Sequence, residues 1–388
     1  MIDFGALKAA NAPLHAFLDW DEGAAFGDGP LAGLTVGVKA NIMMKGLPWT
    51  GGLAASRSRI ADRDADCVAR LRAAGAAILG TLNMEEAALG AKTDNPHYGR
   101  THNPHRPGWS PGGSSGGSGA AVAAGLCGIA LGTDTMGSVR IPAAHCGVYG
   151  FKPATARVSQ DGLEPADLAL DAIGPLARDL DLLERTAELI SEVGTAVPTA
   201  GAGCTLADHG VELHPAVARA FAAACAALPQ PPVAVRLDHP PGRVRFAGFI
   251  QVSRTMAEHL AEVPDLSPHL AKLLTYGPRR SDADRAADAA VLARTRAQLR
   301  DFVAAHGFLI LPTCPNPAFS HDGPEPAAQA DFTCLANIAG LPALALPAGW
   351  TDDGLPVGVQ LVGAAGQEAA LFALARQIDS TLCAYRAP

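Results

Sequence analysis

Apolar and polar positions alternate along this chain in a way that predicts strands and helices in turn. Leu34-Thr-Val-Gly-Val-Lys39 reads as a buried strand ending on a lysine. In 64–77 the apolar positions Cys67, Val68, Leu71 and Ala74 recur at helical spacing and stop near Gly75, so a helix is expected there. Ile78-Leu79-Gly80 predicts a short strand, and Asn83 to Leu89 the start of a further helix. Residues 92–118 are rich in Gly, Pro, Asn, His and Ser and predict a long loop, a feature usually functional inside a compact domain. Gly119 to Leu126 reads as an Ala-rich helix and Gly128 to Gly132 as a buried strand. Residues 1–30 suggest only a leading helix and a loop.

The pattern changes at about 195–300, where prolines at 229, 231, 232, 240 and 241 break the chain between helices expected near 215–227 and 282–306. Phe308 to Pro312, Leu341 to Pro347 and Pro356 to Gly363 then read as strands, and 367–380 as a closing amphipathic helix. Strands alternating with helices argue for an α/β layered fold.

Composition narrows the function. The 388 residues are 48% hydrophobic and 18% charged, against about 25% charged in ordinary soluble domains. That is a chain built for a large core, in one large domain or two closely joined ones. With 30 basic and 38 acidic residues, a net charge of −8, few aromatics and no Lys/Arg cluster, nucleic-acid binding has little electrostatic support. The eight cysteines form no CxxC pair, which argues against a zinc ribbon or a disulfide framework. The N-terminus has no basic and apolar leader pattern, and no run of 18 apolar residues occurs, so a cytoplasmic protein without a membrane span is expected.

Candidate chemistry is concentrated in Ser110-Pro-Gly-Gly-Ser114-Ser115-Gly-Gly-Ser118-Gly119 and in Gly132-Thr-Asp134-Thr-Met136-Gly-Ser138-Val-Arg140-Ile-Pro142. Taken alone, the first run admits several readings. A phosphate loop needs Lys-Ser/Thr after its last glycine, where this chain has Ala120-Ala121. A nucleophile elbow on Ser115 would have to follow a strand, and a polar loop precedes it. A flexible Gly/Ser loop is the plain alternative. No convincing Ser-His-Asp set is present. His145 lies in an apolar run beside Cys146, which suits a packed imidazole, and His102-x-x-His105 lacks a third metal ligand. Lys39, flanked by Val36, Val38, Ile42, Met43 and Met44, is either a strand-end lysine that snorkels to water or an amine that burial keeps neutral and basic.

Together, these segments resemble the amidase signature family, whose GGSSGGS run is followed by GTDTGGSIR-P-A at the same spacing. Further similarity lies in Gly37-Val38-Lys39, Val68 to Glu85, Gly150 to Pro153, Arg157 to Ser159, Leu170 to Arg178, Leu311 to Thr313, Gly340 to Ala343 and Gly354 to Gln360. The resemblance implies one amidase domain over 1–388, with a mixed central sheet covered by helices on both sides. The catalytic motifs would lie in 31–180, a variable compact segment at about 181–300 and returning core strands in 308–378. It also implies a Ser–cis-Ser–Lys triad. Ser138 would attack the carbonyl, Ser114 would follow a cis peptide and pass its proton to Lys39, and the backbone N–H groups of Thr135, Met136, Gly137 and Ser138 would hold the oxyanion. Asp134 and Arg140 would pair structurally, and Ser115 and Ser118 would be loop hydrogen bonders.

Met136 stands where the family usually has Gly and is expected to shape the acyl pocket; Ala40 replaces an Asp, and Ala154 and Ala156 replace the Thr and Gly of K-P-T-x-G. The implied activity is hydrolysis of the C–N bond of a small carboxylic amide, with no cofactor or metal, no nucleic-acid or membrane partner, and a homodimer left open. The alternatives are the glutaminase subunit of a tRNA-dependent amidotransferase, against which Met136 and the short middle count, and a non-catalytic binding relative, against which Lys39, Ser114 and Ser138 count. Arg140, Arg157 and Arg178 are the arginines considered for a substrate carboxylate.

Overall fold

The computed structural model describes residues 2–191 and 201–388, so the start of the Pro-broken middle lies outside the described residues. The first part of the chain runs through α1 (Phe4–Asn11), β1 (Phe17–Trp20), β2 (Thr35–Lys39), α2 (Asp66–Ala73), β3 (Ala77–Leu82), β4 (Asp94–Asn95), β5 (Gly99–Arg100) and α3 (Gly116–Ala123). It continues with β6 (Ile129–Thr133), α4 (Arg140–Cys146), β7 (Tyr149–Lys152), β8 (Ile173–Ala177) and α5 (Leu180–Ile190). The middle holds β9 (Cys204–Leu206), α6 (Pro215–Ala226), β10 (Val233–Val235), α7 (Pro241–His259), α8 (Pro268–Leu273) and α9 (Asp282–His306). Then come β11 (Phe308–Pro312), α10 (Cys334–Ala339), β12 (Ala343–Trp350), β13 (Pro356–Gly363) and α11 (Glu368–Leu382).

Eleven strands make one mixed sheet in the order β1-β3-β2-β6-β8-β7-β12-β13-β11-β9-β10. Strands from 31–180 and from 308–378 meet inside it, since β7 pairs with β12 antiparallel. Helices cover both faces. Leu344 and Leu346 of β12 pack with α6 and α11, whereas Ala343 packs with α7, α9 and α10 on the opposite side. The same alternation positions the lysine. Val36 and Val38 of β2 face the cluster built on α2, so Gly37 and Lys39 point to the other face, where Gly37 meets Phe17 and Leu82. Parallel strands β2 and β6 end side by side, which puts Lys39 and Thr133 at the carboxyl edge of the sheet, a usual place for α/β ligand sites.

Several expectations need correction. The helix expected from Asn83 is only a short 3-10 turn, Glu86–Ala88. Asn83 Oδ1 accepts from Met84 N at 2.9 Å, and the Glu85 carboxylate turns to accept from Lys92 N at 3.1 Å. These local bonds compete with helix propagation. Helix α3 begins three residues before the expected Gly119, with Gly116 and Gly117 inside it. A Cβ on Gly117 would lie 2.4 Å from the Asn83 carbonyl oxygen and 2.7 Å from that of Ala16. This glycine therefore permits close backbone approach. The sequence pattern does not show the edge strands β1 and β10, the strand β9 beside β10, or the helix α7.

Candidate active site

Lys39 is fully buried, and its Nζ lies 2.7 Å from Ser114 Oγ and 2.7 Å from Thr133 Oγ1. Burial pushes its pKa down to about 7, against the opposing pull of Asp171, Asp134 and Glu85. The free amine is thus well populated at neutral pH. Thr133, not singled out from the sequence, is the second group fixing the amine, and it also receives Asn41 Nδ2 at 3.2 Å. Its only sequence signal is its place in the Gly132-Thr-Asp134 run.

The Gly/Ser loop is tied to β6 by its other serines. Ser115 Oγ donates to Thr133 O at 3.1 Å and accepts from Thr133 N at 3.2 Å, and Ser118 Oγ donates to Leu131 O at 3.0 Å. With its hydroxyl engaged in this way, Ser115 is a poor nucleophile. The Gly113–Ser114 peptide is cis. The Ser138 carbonyl accepts from Ser115 N at 3.3 Å, which brings the two Ser segments together.

The turn from Asp134 to Val139 is held from outside. Arg140 Nε and Nη2 bond the Asp134 carboxylate at 3.0 and 2.9 Å, and both side chains are fully buried. Burial raises the Asp134 pKa, but the adjacent guanidinium prevails and holds it at about 2. Asn337 Nδ2 donates to Asp134 O at 2.8 Å, and Arg140 also reaches Gln360 and Asn337 oxygens at 2.7 Å. Thr135 Oγ1 donates to Asp171 Oδ1 at 2.6 Å.

One expected oxyanion donor is already engaged, because the Gly137 N–H donates to Asp134 Oδ1 at 2.8 Å. Gly137 is therefore a structural member of the turn rather than a free donor. The N–H groups of Thr135, Met136 and Ser138 have no acceptor among the described residues, and the Ser138 hydroxyl has no partner there either. Ser138, 9% exposed, is the serine of this set that opens onto space.

That space is a cleft of about 470 Å³, lined by Thr135, Met136 and Ser138 at its floor. Its wall is the face of α7 carrying Arg245, Phe249 and Val252, spaced one helical stripe apart. Met136 lines the cleft. Of the arginines considered from the sequence, Arg140 is locked to Asp134, Arg157 lies 3.9 Å from Glu368 and Arg178 is exposed; none lines the cleft. His145 is buried edge-on to Phe319, and burial pushes its pKa down to about 4. His105 Nε2 contacts Cys146 O at 3.0 Å and His102 accepts from Gly108 N at 3.3 Å, so the two imidazoles are turned to separate partners. Among the described residues no three His, Cys, Asp or Glu side chains cluster as metal ligands, and no helix is long and apolar enough to cross a membrane. All eight cysteines are free.

Comparison with known proteins bears on this arrangement. The model of the family described as Amidase matches residues 9–200 and 245–372. A glutamyl-tRNA(Gln) amidotransferase subunit of Treponema pallidum (strain Nichols) is 32% identical over 416 aligned positions, covering 90% of this chain and 81% of that protein. Among solved structures, an inhibitor-bound vestigial protein complex bearing on the evolutionary origins of an s-triazine catabolic enzyme superposes with a TM-score of 0.88. Its identity is 29%, covering 99% of this chain and 94% of that one. A crystal structure of an amidase gives 0.85 at 30% identity, with 97% and 94% covered.

Proposed function

The chain belongs to the amidase family, and we propose that it hydrolyses the C–N bond of a small carboxylic amide through an acyl-enzyme on Ser138. The observation that carries this reading is the buried Lys39 amine, 2.7 Å from Ser114 Oγ and beside a turn whose Thr135, Met136 and Ser138 N–H groups are unengaged. Ser114 takes the Ser138 proton as Ser138 Oγ attacks the carbonyl, and gives its own to Lys39. Ser114 Oγ is bonded to Lys39 but not to Ser138 Oγ here, so the relay closes on substrate binding, as catalytic contacts often do. The unengaged N–H groups receive the developing oxyanion. Lys39 then returns the proton, through Ser114, to the leaving nitrogen. Water attacks the ester by the reverse path and frees the acid.

A second reading is favoured by the relatives named as amidotransferase subunits. In it the same chemistry releases ammonia from an amide donor for use by partner subunits. The purified chain alone, given an amide panel that includes glutamine, separates the two by ammonia release. Turnover of simple amides without partners supports the free-standing hydrolase. Glutamine turnover that needs added subunits supports the second reading. A serine-directed phosphonate should label Ser138; labelling elsewhere, or full activity in Ser138→Ala, would overturn the mechanism.

A further inference from the structure

Arg245 is the one arginine among the described residues that lines the cleft holding Ser138. Its Nε is bonded to Asp331 Oδ1 at 2.5 Å, and Asp331 is itself nearly buried. That bond fixes the guanidinium plane from behind. The two Nη groups have no hydrogen-bond partner among the described residues. An anchored guanidinium with its outer edge unengaged presents a flat fork of N–H donors, which matches a carboxylate.

The rest of the lining suits such a ligand. Gln329 also lines the cleft, but its buried amide sits against the His145 imidazole and is not free for a ligand. Much of the remaining wall is apolar, including Leu89, Ile141, Phe246 and Phe249, which strengthens any charged contact made there. The other carboxyl in the cleft, Glu325, accepts Ala91 N at 3.1 Å, and burial raises its pKa. It therefore opposes an anionic ligand less than a free carboxylate would.

We propose that Arg245, anchored by Asp331, binds a carboxylate of the substrate, so that this enzyme acts on amides that also carry a carboxylate. This assignment rests on the amide-hydrolase reading for its catalytic arm only. It assigns the reading of substrate to α7, a segment in the variable middle of the chain.

Matched amides test it. Succinamate and butyramide differ in that a carboxylate replaces a methyl group. The purified full chain should prefer succinamate in kcat/KM by roughly tenfold or more. Arg245→Gln should collapse that ratio, chiefly through KM, and Arg245→Lys should keep part of it. Because Arg245→Gln leaves Asp331 unpaired, the Arg245→Gln/Asp331→Asn double variant repeats the test with both charges removed. Equal use of the two amides by the wild type, or a ratio unchanged in both glutamine variants, would overturn the proposal. Calorimetry on Ser138→Ala supplies an arm independent of turnover. Succinamate binding that disappears with Arg245→Gln supports the site even if no amide is hydrolysed, a result that would sink only the catalytic reading. No succinamate binding to Ser138→Ala would overturn the carboxylate site itself.

Discussion

The Met136 methyl group stops 3.1 Å from the point that a side-chain carbon on Gly248 would occupy, with its sulfur 3.7 Å away. Glycine inside a helix such as α7 costs roughly 0.5–1 kcal/mol relative to alanine. Here it leaves room for the Met136 side chain, two residues before Ser138. Met136, which lines the cleft that also holds Ser138, thus packs against Gly248.

Gly248→Ala should therefore push the flexible Met136 side chain towards the cleft rather than disrupt the helix. Expected are a small change in stability and a rise in KM that grows with substrate bulk. Met136→Gly should act oppositely, raising kcat/KM for bulky amides over the smallest by roughly tenfold or more. Kinetics on a graded acyl series check both. If Met136→Gly leaves the size preference unchanged, Met136 does not limit the pocket.

Lys39 should govern the acid limb of activity. With its pKa near 7, kcat/KM should fall about tenfold per pH unit below that value and level off above it. Lys39→Ala should cost ~10²–10⁴-fold in rate, and Lys39→Arg should not restore it, because a guanidinium does not release its proton in proteins. The same group affects stability. An unfolded lysine titrates near 10.5 and the folded Lys39 near 7, so between these values the unfolded chain binds more protons. Its contribution to stability thus rises with pH across that window and is lost as pH falls towards 7. Denaturant titrations of Lys39→Met should show a shallower rise between pH 7 and 10. An equal slope would mean the native amine is already charged.

What the sequence made legible was local. The Lys39 strand, the Gly/Ser loop and the Asp134–Arg140 turn are each short runs whose chemistry is carried by neighbouring residues, and the structure brings them together. Contacts made across the chain were hidden. Gly137 reads as a free donor until Asp134 is seen to fold back on its N–H. Thr133 is unremarkable until Lys39 reaches it from another strand. Helix α7 was obscured by Pro240 and Pro241, which break the preceding chain but suit a helix start, with Pro241 in its first turn. With α7 missed, Arg245 was absent from the arginines considered.

The buried Asp134–Arg140 pair should be costly to break from either side. Asp134→Ala leaves an unpaired buried guanidinium, a loss of about 3–5 kcal/mol. It also releases the Gly137 N–H and removes the acceptor for Val139 N at 3.2 Å. Urea titration should register the stability loss, and activity should fall further than stability explains. A fully active, stable Asp134→Ala protein would show that the turn is held by other bonds.

Thr333 should be a positioning residue for the same turn. The Met136–Gly137 peptide unit is pinned at both ends. Its carbonyl accepts Thr333 Oγ1 at 2.7 Å, and its N–H donates to Asp134 at 2.8 Å. With that plane fixed, the flanking peptides present the Met136 and Ser138 N–H groups without acceptors of their own. Thr333→Val keeps the shape and removes the hydroxyl, so the carbonyl loses its partner and the plane can rotate. Removing an oxyanion donor outright costs about 10²–10³ in kcat, so a loosened plane should cost less, about tenfold, with KM little changed. Thr333→Ser should restore most of the rate, because the hydroxyl is what the carbonyl needs. Gly137→Ala should fail more severely, since Gly137 has φ of +135° and an added Cβ would lie 2.1 Å from Thr333 Oγ1. Pairing Gly137→Ala with Thr333→Ser tests whether the clash is the cause. Serine still brings the hydroxyl oxygen close, so recovery should be partial at most. A Thr333→Val enzyme with unchanged kcat would mean that Asp134 alone holds the peptide plane.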